Sequence, residues 1–286
     1  MLKNVVLLPN LSKQIDPVLV QKLILRMKEA GCVIRSDVAC REFLSPIAEC
    51  AYFEDDSALM DGADVIFVLG GDGSIIQAAH RSVGLGIPIV AINCGRLGYM
   101  AEIEIGELEL VDQVLAGVGT IEERMMLHVE VHRGEGILTF TAPALNDVVL
   151  TNGPIPRLLY FALVCDGELV EHCYADGMIL TTPTGSTAYS MAAGGPVLDP
   201  RLDCICATPI CPQTMNNHPI IFSGNSVLEI RNIKSNGNVI YLSEDGRESM
   251  SLLENDWIRI THSSCRIPLI RIKKGGSLSA LRRKLS

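Results

Sequence analysis

Apolar and polar positions along the chain follow two rhythms. Early on, short unbroken apolar runs alternate with stretches at helical spacing. Val5-Val-Leu-Leu8 is the first run, and its continuity predicts a strand buried on both faces. Asp16 then caps a helix with Pro17 at its first position, apolar residues Val20, Leu23, Ile24 and Met27, and Gly31 as its stop. Cys32-Val-Ile34 predicts a second strand, and from Arg35 to Asp61 the pattern weakens to short helical pieces. Asp64-Val-Ile-Phe-Val-Leu69 and Ile87-Pro-Ile-Val-Ala-Ile92 predict two more buried strands, separated by Ile75, Ile76, Ala79 and Val83 at helical spacing. One further helix is expected over Glu107 to Leu115. Alternation of this kind predicts an α/β N-terminal domain, a parallel sheet with flanking helices.

From Ile121 the rhythm becomes one of short alternating strands. Turns at Gly134-Glu-Gly136, Asp166-Gly167, Asn236-Gly237 and Asp245-Gly246 punctuate them, and Leu158 to Cys165 with Glu168 to Tyr174 reads as a hairpin. This half is expected to be a β-rich, sandwich-like C-terminal domain. The expected domains are 1–120 (nucleotide and phosphate binding), 121–270 (substrate binding) and a C-terminal tail, 271–286, returning to the first. The basic residues Arg271, Lys273 and Lys274, and Arg282 to Lys284, are expected to be solvated.

Composition narrows the function. With 286 residues, 48% of them apolar, the chain can bury the cores of two domains. A net charge of −9 argues against a nucleic-acid partner, which calls for a basic face. No run of about 18 apolar residues is present to span a bilayer, and the start lacks a signal-peptide pattern, so no membrane association and a cytoplasmic location are expected. The ten cysteines are scattered through apolar surroundings and are expected to be reduced thiols; Cys204-Ile-Cys206 with Cys211 lacks a C-x-x-C pair. His128-Val-Glu-Val-His132 alternates as a strand does, whereas zinc chemistry of the HExxH type needs a helix, so no protein metal cage is expected.

Three stretches carry chemistry. Gly70-Gly71-Asp72-Gly73-Ser74 joins a predicted strand to a predicted helix. Its glycines permit positive φ and close approach of a bulky anion, and the helix start offers free N–H groups. Asp72 would repel a phosphate there unless a metal ion or a proton-transfer role justifies it, which points to phosphoryl transfer; the alternative is a carboxylate that merely caps the helix. Asn93-Cys-Gly95-Arg-Leu-Gly98-Tyr99-Met100 follows a neighbouring strand at the sheet edge where ligands of α/β proteins sit, and Tyr99 either stacks on a base or packs locally. In the β-rich half, Asn146-Asp147 pairs an amide with a carboxylate able to grip sugar hydroxyls. There too, Asp176-Gly177 leads into Thr182-Pro-Thr-Gly-Ser-Thr-Ala-Tyr-Ser190, a loop of hydroxyls and glycine that opens a helix. The absence of a G-x-G-x-x-G fingerprint argues against a hydride-transferring dehydrogenase.

In this order the GGDG turn, the Asn-Asp pair and the TPTGSTAYS loop resemble the NAD kinase family, with a likeness running from Asp64 to Arg247 and including Ile121-Glu-Glu-Arg-Met-Met-Leu127. The long loop is the specific part, since GGDG also marks lipid kinases and phosphofructokinase-like enzymes. The resemblance implies Mg²⁺-dependent transfer of the γ-phosphate of ATP to the 2′-hydroxyl of the adenosine ribose of NAD, giving NADP, with polyphosphate as an alternative donor and a homodimer or homotetramer as the assembly. By the same resemblance Asp72 is the catalytic base, with Gly71 and Gly73 in the phosphate-contacting turn and Tyr99 beside the adenine. Asn146 and Asp147 would hold ribose hydroxyls. Thr187, Ala188 and Tyr189 would line the adenosine pocket, with Asp176 and Thr184 toward the nicotinamide end, and Arg157, Ala192, Asp245 and Arg247 complete the implied nucleotide contacts. Ala192, Gln213 and Arg247 depart from the family's frequent Ser, His and Gln at those places. The competing readings are a lipid or sugar kinase sharing only the GGDG turn and a catalytically silent dinucleotide sensor.

Overall fold

The computed structural model describes residues 2–95, 98–153, 158–213, 217–234, 239–247, 250–253 and 255–273. Two compact units emerge: one runs to Glu123 and resumes at Ile267, and the other is Arg124–Arg266.

The first unit is a parallel sheet. Its strands are β1 (Asn4–Pro9), β2 (Val33–Asp37), β3 (Ala51–Phe53), β4 (Val65–Gly70), β5 (Ile89–Asn93) and β6 (Ile103–Glu104). The order is β5-β4-β1-β2-β3, with β6 and Leu269 also pairing on β5, and all the pairings are parallel. Every residue of β4 and β5 is buried, as their uninterrupted apolar runs require. β3 is an edge strand of three residues inside the stretch whose pattern predicts only helical pieces; it is too short to show a period. Helix α1 (Pro17–Glu29) starts as expected, with Asp16 accepting from Val18 N and Pro17 at the first position. Short helices α2 (Arg41–Leu44) and α3 (Asp56–Met60) precede α4 (Asp72–Arg81) and α5 (Glu109–Leu115). Leu19, Val20, Leu23, Ile24 and Met27 of α1 share a core with Val111, Val114 and Leu115 of α5 and with Val5, Phe67 and Ile92 from the sheet. Each such side chain contributes about 1.5–3 kcal/mol by leaving water.

The basic segment beyond residue 270 needs one correction. Arg271 is buried: its Nη1 meets Glu102 Oε2 at 3.2 Å and its Nε meets Glu122 Oε1 at 3.1 Å. Glu102, also buried, accepts from the backbone amides of Ile272 and Lys273 at 2.8 and 2.7 Å, and Lys273 pairs with Glu107. A buried carboxylate is tolerated here because guanidinium and two N–H groups surround it. Lys274 and Arg282–Lys284 lie outside the described residues.

The second unit is a β-sandwich. One sheet holds β7 (Thr120–Arg133), β8 (Ile137–Ala144), β10 (Leu159–Cys165), β11 (Glu168–Ala175), β15 (Leu228–Lys234) and β18 (Asp256–Arg271). The other has the order β14-β13-β12-β9-β16-β17, built from β9 (Asp147–Asn152), β12 (Gly177–Thr181), β13 (Cys204–Ile210), β14 (Ile220–Ser223), β16 (Ile240–Glu244) and β17 (Met250–Leu252). Alternate residues of both sheets interdigitate: Met125, Leu127, Val129 and Val131 share one core with Leu150, Met178, Leu180 and Ile205. The expected hairpin is β10–β11, turned by Asp166 and Gly167 at φ 52° and 85°. All ten cysteines are free thiols. His128 and His132 both lie on β7 and flank Glu130, whose carboxylate they approach at 3.5 and 3.0 Å.

Candidate active site

In the first unit, β4 delivers Gly70 and Gly71 into the start of α4. The glycines work differently from the sequence expectation: none of Gly70, Gly71 and Gly73 has positive φ. The need at Gly70 is close approach, because a Cβ there would lie 2.2 Å from Ser74 Oγ. At exposed Gly73 a Cβ would meet nothing within 4 Å.

Asp72 is not a helix cap. Gly71 occupies the N-cap position without any side-chain cap, and Asp72 is the first helical residue. Its carboxylate instead accepts from Tyr99 N at 2.7 Å and Met100 N at 3.0 Å. Those bonds tie the loop after β5 to the glycine turn, and Gly98 leaves room for them, since a Cβ at 98 would lie 2.4 Å from Asp72 Oδ1. Each carboxylate oxygen accepts one N–H and so keeps lone-pair capacity for a further proton or cation. Tyr99 is half-buried in this loop. Lys13, to which no sequence pattern drew attention, reaches over the same turn from the loop after β1: a Cβ on Gly71 would lie 2.9 Å from its Nζ, and one on Gly95 3.0 Å. A lysine in a loop leaving the carboxyl end of a strand is the signal that could have found it.

In the second unit, the Asn146-Asp147 corner and the hydroxyl loop are built as one object. Thr181 Oγ1 and Thr182 N donate to Asn146 O, each at 2.8 Å, and Thr182 Oγ1 donates to Leu145 O at 2.6 Å. Gly185 must be glycine: a Cβ would lie 2.3 Å from Asn146 O. Gly177 is under the same constraint, since its Cβ would lie 2.0 Å from Leu150 O. Asp245, at φ 50°, receives three successive amides, Leu145 N at 2.7 Å, Asn146 N at 2.6 Å and Asp147 N at 3.0 Å. Asp147 is buried beside it; desolvation first, then the charge of Asp245, pushes its carboxyl up to about 7. Asn146 Oδ1 is buried and accepts no hydrogen bond, an acceptor suited to a hydroxyl.

The remaining sequence candidates divide by exposure. Thr184 is buried, and its Oγ1 accepts from Nη1 of Arg124 at 3.3 Å. Arg124 is itself only 2% exposed; the sequence reading quoted it within Ile121–Leu127 but gave it no role. Asp176 and Thr187 are half-buried, as is Ala188, whereas Tyr189, Ala192 and Arg247 are exposed. Arg157 lies outside the described residues, as does the Asn236-Gly237 turn. Among the described residues no three His, Cys, Asp or Glu side chains converge as a metal cage. A divalent cation would therefore depend on phosphate oxygens and water for most of its ligands. The free lone pairs of Asp72 fit that role, because Mg²⁺ is commonly held by one or two carboxylates plus substrate phosphates.

Comparison with known proteins assigns this architecture to a class. Residues 52–120 match the ATP-NAD kinase N-terminal domain, and residues 145–272 match the ATP-NAD kinase C-terminal domain. An NAD kinase of Symbiobacterium thermophilum is 38% identical over 272 residues, covering 93% of each chain. One from Desulforamulus reducens is 36% identical over 282 residues, covering 91% of this chain and 97% of that one. In fold, the chain is similar to yeast NADH kinase complexed with NADH, with TM-score 0.90 and 24% identity, covering 99% of this chain and 87% of that one. It is also similar to an NAD kinase from Archaeoglobus fulgidus in complex with ATP, with TM-score 0.72 and 23% identity, covering 99% and 98%. The chain belongs to the NAD kinase family.

Proposed function

We infer that the protein is an NAD⁺ kinase that moves the γ-phosphoryl group of ATP to the 2′-hydroxyl of the adenosine ribose of NAD, and that Asp72 is its general base. The observation carrying the base assignment is the posture of Asp72: a carboxylate at the mouth of a glycine turn, held by two backbone amides, with lone pairs left over. In the transfer, Asp72 takes the hydroxyl proton and the 2′-oxygen forms its bond to the γ-phosphorus. The bond from that phosphorus to the β–γ bridging oxygen breaks, releasing ADP. A positioned base is worth roughly 10² to 10⁴ in rate. Mg²⁺ bound with the donor would neutralise phosphate charge, and Asp72 is the residue of the turn able to face it.

In the second unit we assign Asn146 and Asp147 to ribose hydroxyls. Asn146 offers an unpartnered acceptor, and Asp147, at a pKa of about 7, can donate when protonated and accept when not. Thr184, Thr187, Ala188, Tyr189 and Asp176 border the same stretch of chain and are assigned to the rest of NAD, as are Arg157, Ala192, Asp245 and Arg247. Asp245 acts through the backbone it holds. A cytoplasmic location and a homodimer or homotetramer belong to the same reading, supported by family membership.

The test is NADP formation from NAD with ATP, and separately with polyphosphate, using diacylglycerol and fructose 6-phosphate as rival acceptors. NADP should appear and neither rival should be phosphorylated. Transfer to a rival acceptor, or binding of NAD without turnover, would overturn the reading.

A further inference from the structure

We propose that Lys13 binds the phosphates of the donor at the glycine turn; this rests on the kinase reading above. Three carboxyl-terminal strand ends of the first unit meet around its ammonium group. The loop after β1 is pinned by Asn10, whose N–H donates to Leu69 O at 2.9 Å and whose Nδ2 donates to Ser74 Oγ at 2.8 Å. Lys13 N donates back to Asn10 O at 3.1 Å, which turns the chain so that the side chain runs inward. There Nζ comes within 2.9 Å of where a Cβ would stand on Gly71 and 3.0 Å of the same place on Gly95. Gly71 leads from β4 into α4, and Gly95 follows β5, whose exit is tied down by Cys94 N donating to Gly70 O at 3.0 Å.

The charge is the telling part. Lys13 is half-buried and takes part in none of the ion pairs formed among the described residues, whereas nearby Arg81 is matched by Asp37 and Asp56. A half-buried ammonium without a counter-charge needs an anion to complete it. Beside it stand the free N–H groups at the start of α4, a ten-residue helix, which favour the same sign of ligand. The turn also holds Asp72, whose charge opposes that of an incoming phosphate; a cation placed across the two glycines offsets the repulsion. The absence of side chains at Gly71 and Gly95 is what lets the ammonium lie against the backbone there. An ammonium on a flexible stem serves phosphate as a point charge and does not demand bidentate geometry.

The experiment compares wild type with Lys13→Met, which keeps the stem and removes the charge, and Lys13→Gln as a second uncharged variant. Steady-state kinetics are run with ATP and with NAD varied in turn, alongside melting temperature and calorimetric binding of inorganic tripolyphosphate. The expected result is a rise in KM for ATP of about 10- to 100-fold, the effect of losing one charge-assisted hydrogen bond, with KM for NAD and melting temperature little changed. Tripolyphosphate affinity should fall by a similar factor. A change below about threefold in both ATP KM and tripolyphosphate affinity overturns the proposal, as does a proportional loss for NAD or a wild type that binds no tripolyphosphate. If the wild type makes no NADP, the kinase reading fails on its own, and the tripolyphosphate comparison still decides whether Lys13 holds phosphate.

Discussion

Both units set a carboxylate against backbone amides, yet they use it in opposite ways. Asp72 accepts two amides from a loop 27 and 28 residues ahead and stays at the mouth of the turn with capacity to spare. Asp245 accepts three amides from residues about 100 positions behind it. The first arrangement orients the carboxylate proposed as the base; the second consumes a charge to shape the backbone and adds to the desolvation that raises the pKa of its neighbour Asp147. A carboxylate wrapped in amides is therefore no sign of catalysis by itself. What separates the two is remaining lone-pair access.

The sharpest way to break this contrast is Asp72→Asn. The amide oxygen can accept only one of the two N–H bonds well, so some stability is lost, of order 1–2 kcal/mol. The chemistry should lose far more: kcat is expected to fall by about 10² or more while NAD still binds by calorimetry. A folded variant keeping over a tenth of wild-type kcat would refute the base assignment.

The next largest effect is expected on the structural side. Gly185→Ala would drive a methyl group to 2.3 Å from Asn146 O, a backbone atom that cannot swing away. A loss of about 2–4 kcal/mol in unfolding free energy is expected, together with weakened NAD binding, read by denaturant titration and calorimetry. Unchanged values for both would show that the hydroxyl loop and the Asn146 corner are not mechanically one.

Asp147 sharpens the comparison through pH. Its folded-state pKa of about 7 lies above the unfolded value near 4, so the native state binds the proton more tightly. The stability this proton confers is fully present below about pH 4 and is lost as the pH rises toward 7. Asp147→Asn should cancel that slope, gaining on the wild type by on the order of 2–4 kcal/mol between pH 4 and 8 in melting curves. Parallel curves for the two proteins would mean that Asp147 is an ordinary carboxylate. The smallest effect is reserved for Tyr99→Ala: loss of a stacking face worth about 1 kcal/mol should raise KM for NAD several-fold and leave kcat near wild type. If KM stays put, Tyr99 is a packing residue of the loop that Asp72 holds.

Much of this was legible in the sequence where local chemistry dominates. The fully buried strands β4 and β5 showed as unbroken apolar runs, α1 announced itself through Asp16, Pro17 and Gly31, and the β10–β11 hairpin through Asp166-Gly167. The GGDG turn and the 182–190 loop were visible as motifs. What stayed hidden depends on contacts far apart in sequence. A helix cap stood as the alternative for Asp72 because its partners, Tyr99 N and Met100 N, come from another loop. The glycines of the turn suggested positive φ, whereas the constraint at Gly70 is a side chain, Ser74, that only the folded helix brings close. Lys13 belongs to none of the motifs, Arg124 sits within the Ile121–Leu127 likeness without a role being assigned to it, and Arg271 reads as a tail residue until Glu102 and Glu122 are seen around it.

That last cluster bears on the order in which the protein can be completed during synthesis. Glu102 is made well before the Arg271 guanidinium and the Ile272 and Lys273 amides that neutralise it. At about 5–20 residues per second, the intervening stretch takes on the order of ten to thirty seconds to translate. Until then the first unit lacks the guanidinium and amides that make burial of this carboxylate tolerable. Arg124–Arg266 has all of its own chain first. The first unit, whose chain the second interrupts, thus obtains the partners of Glu102 only after Arg124–Arg266 has been made.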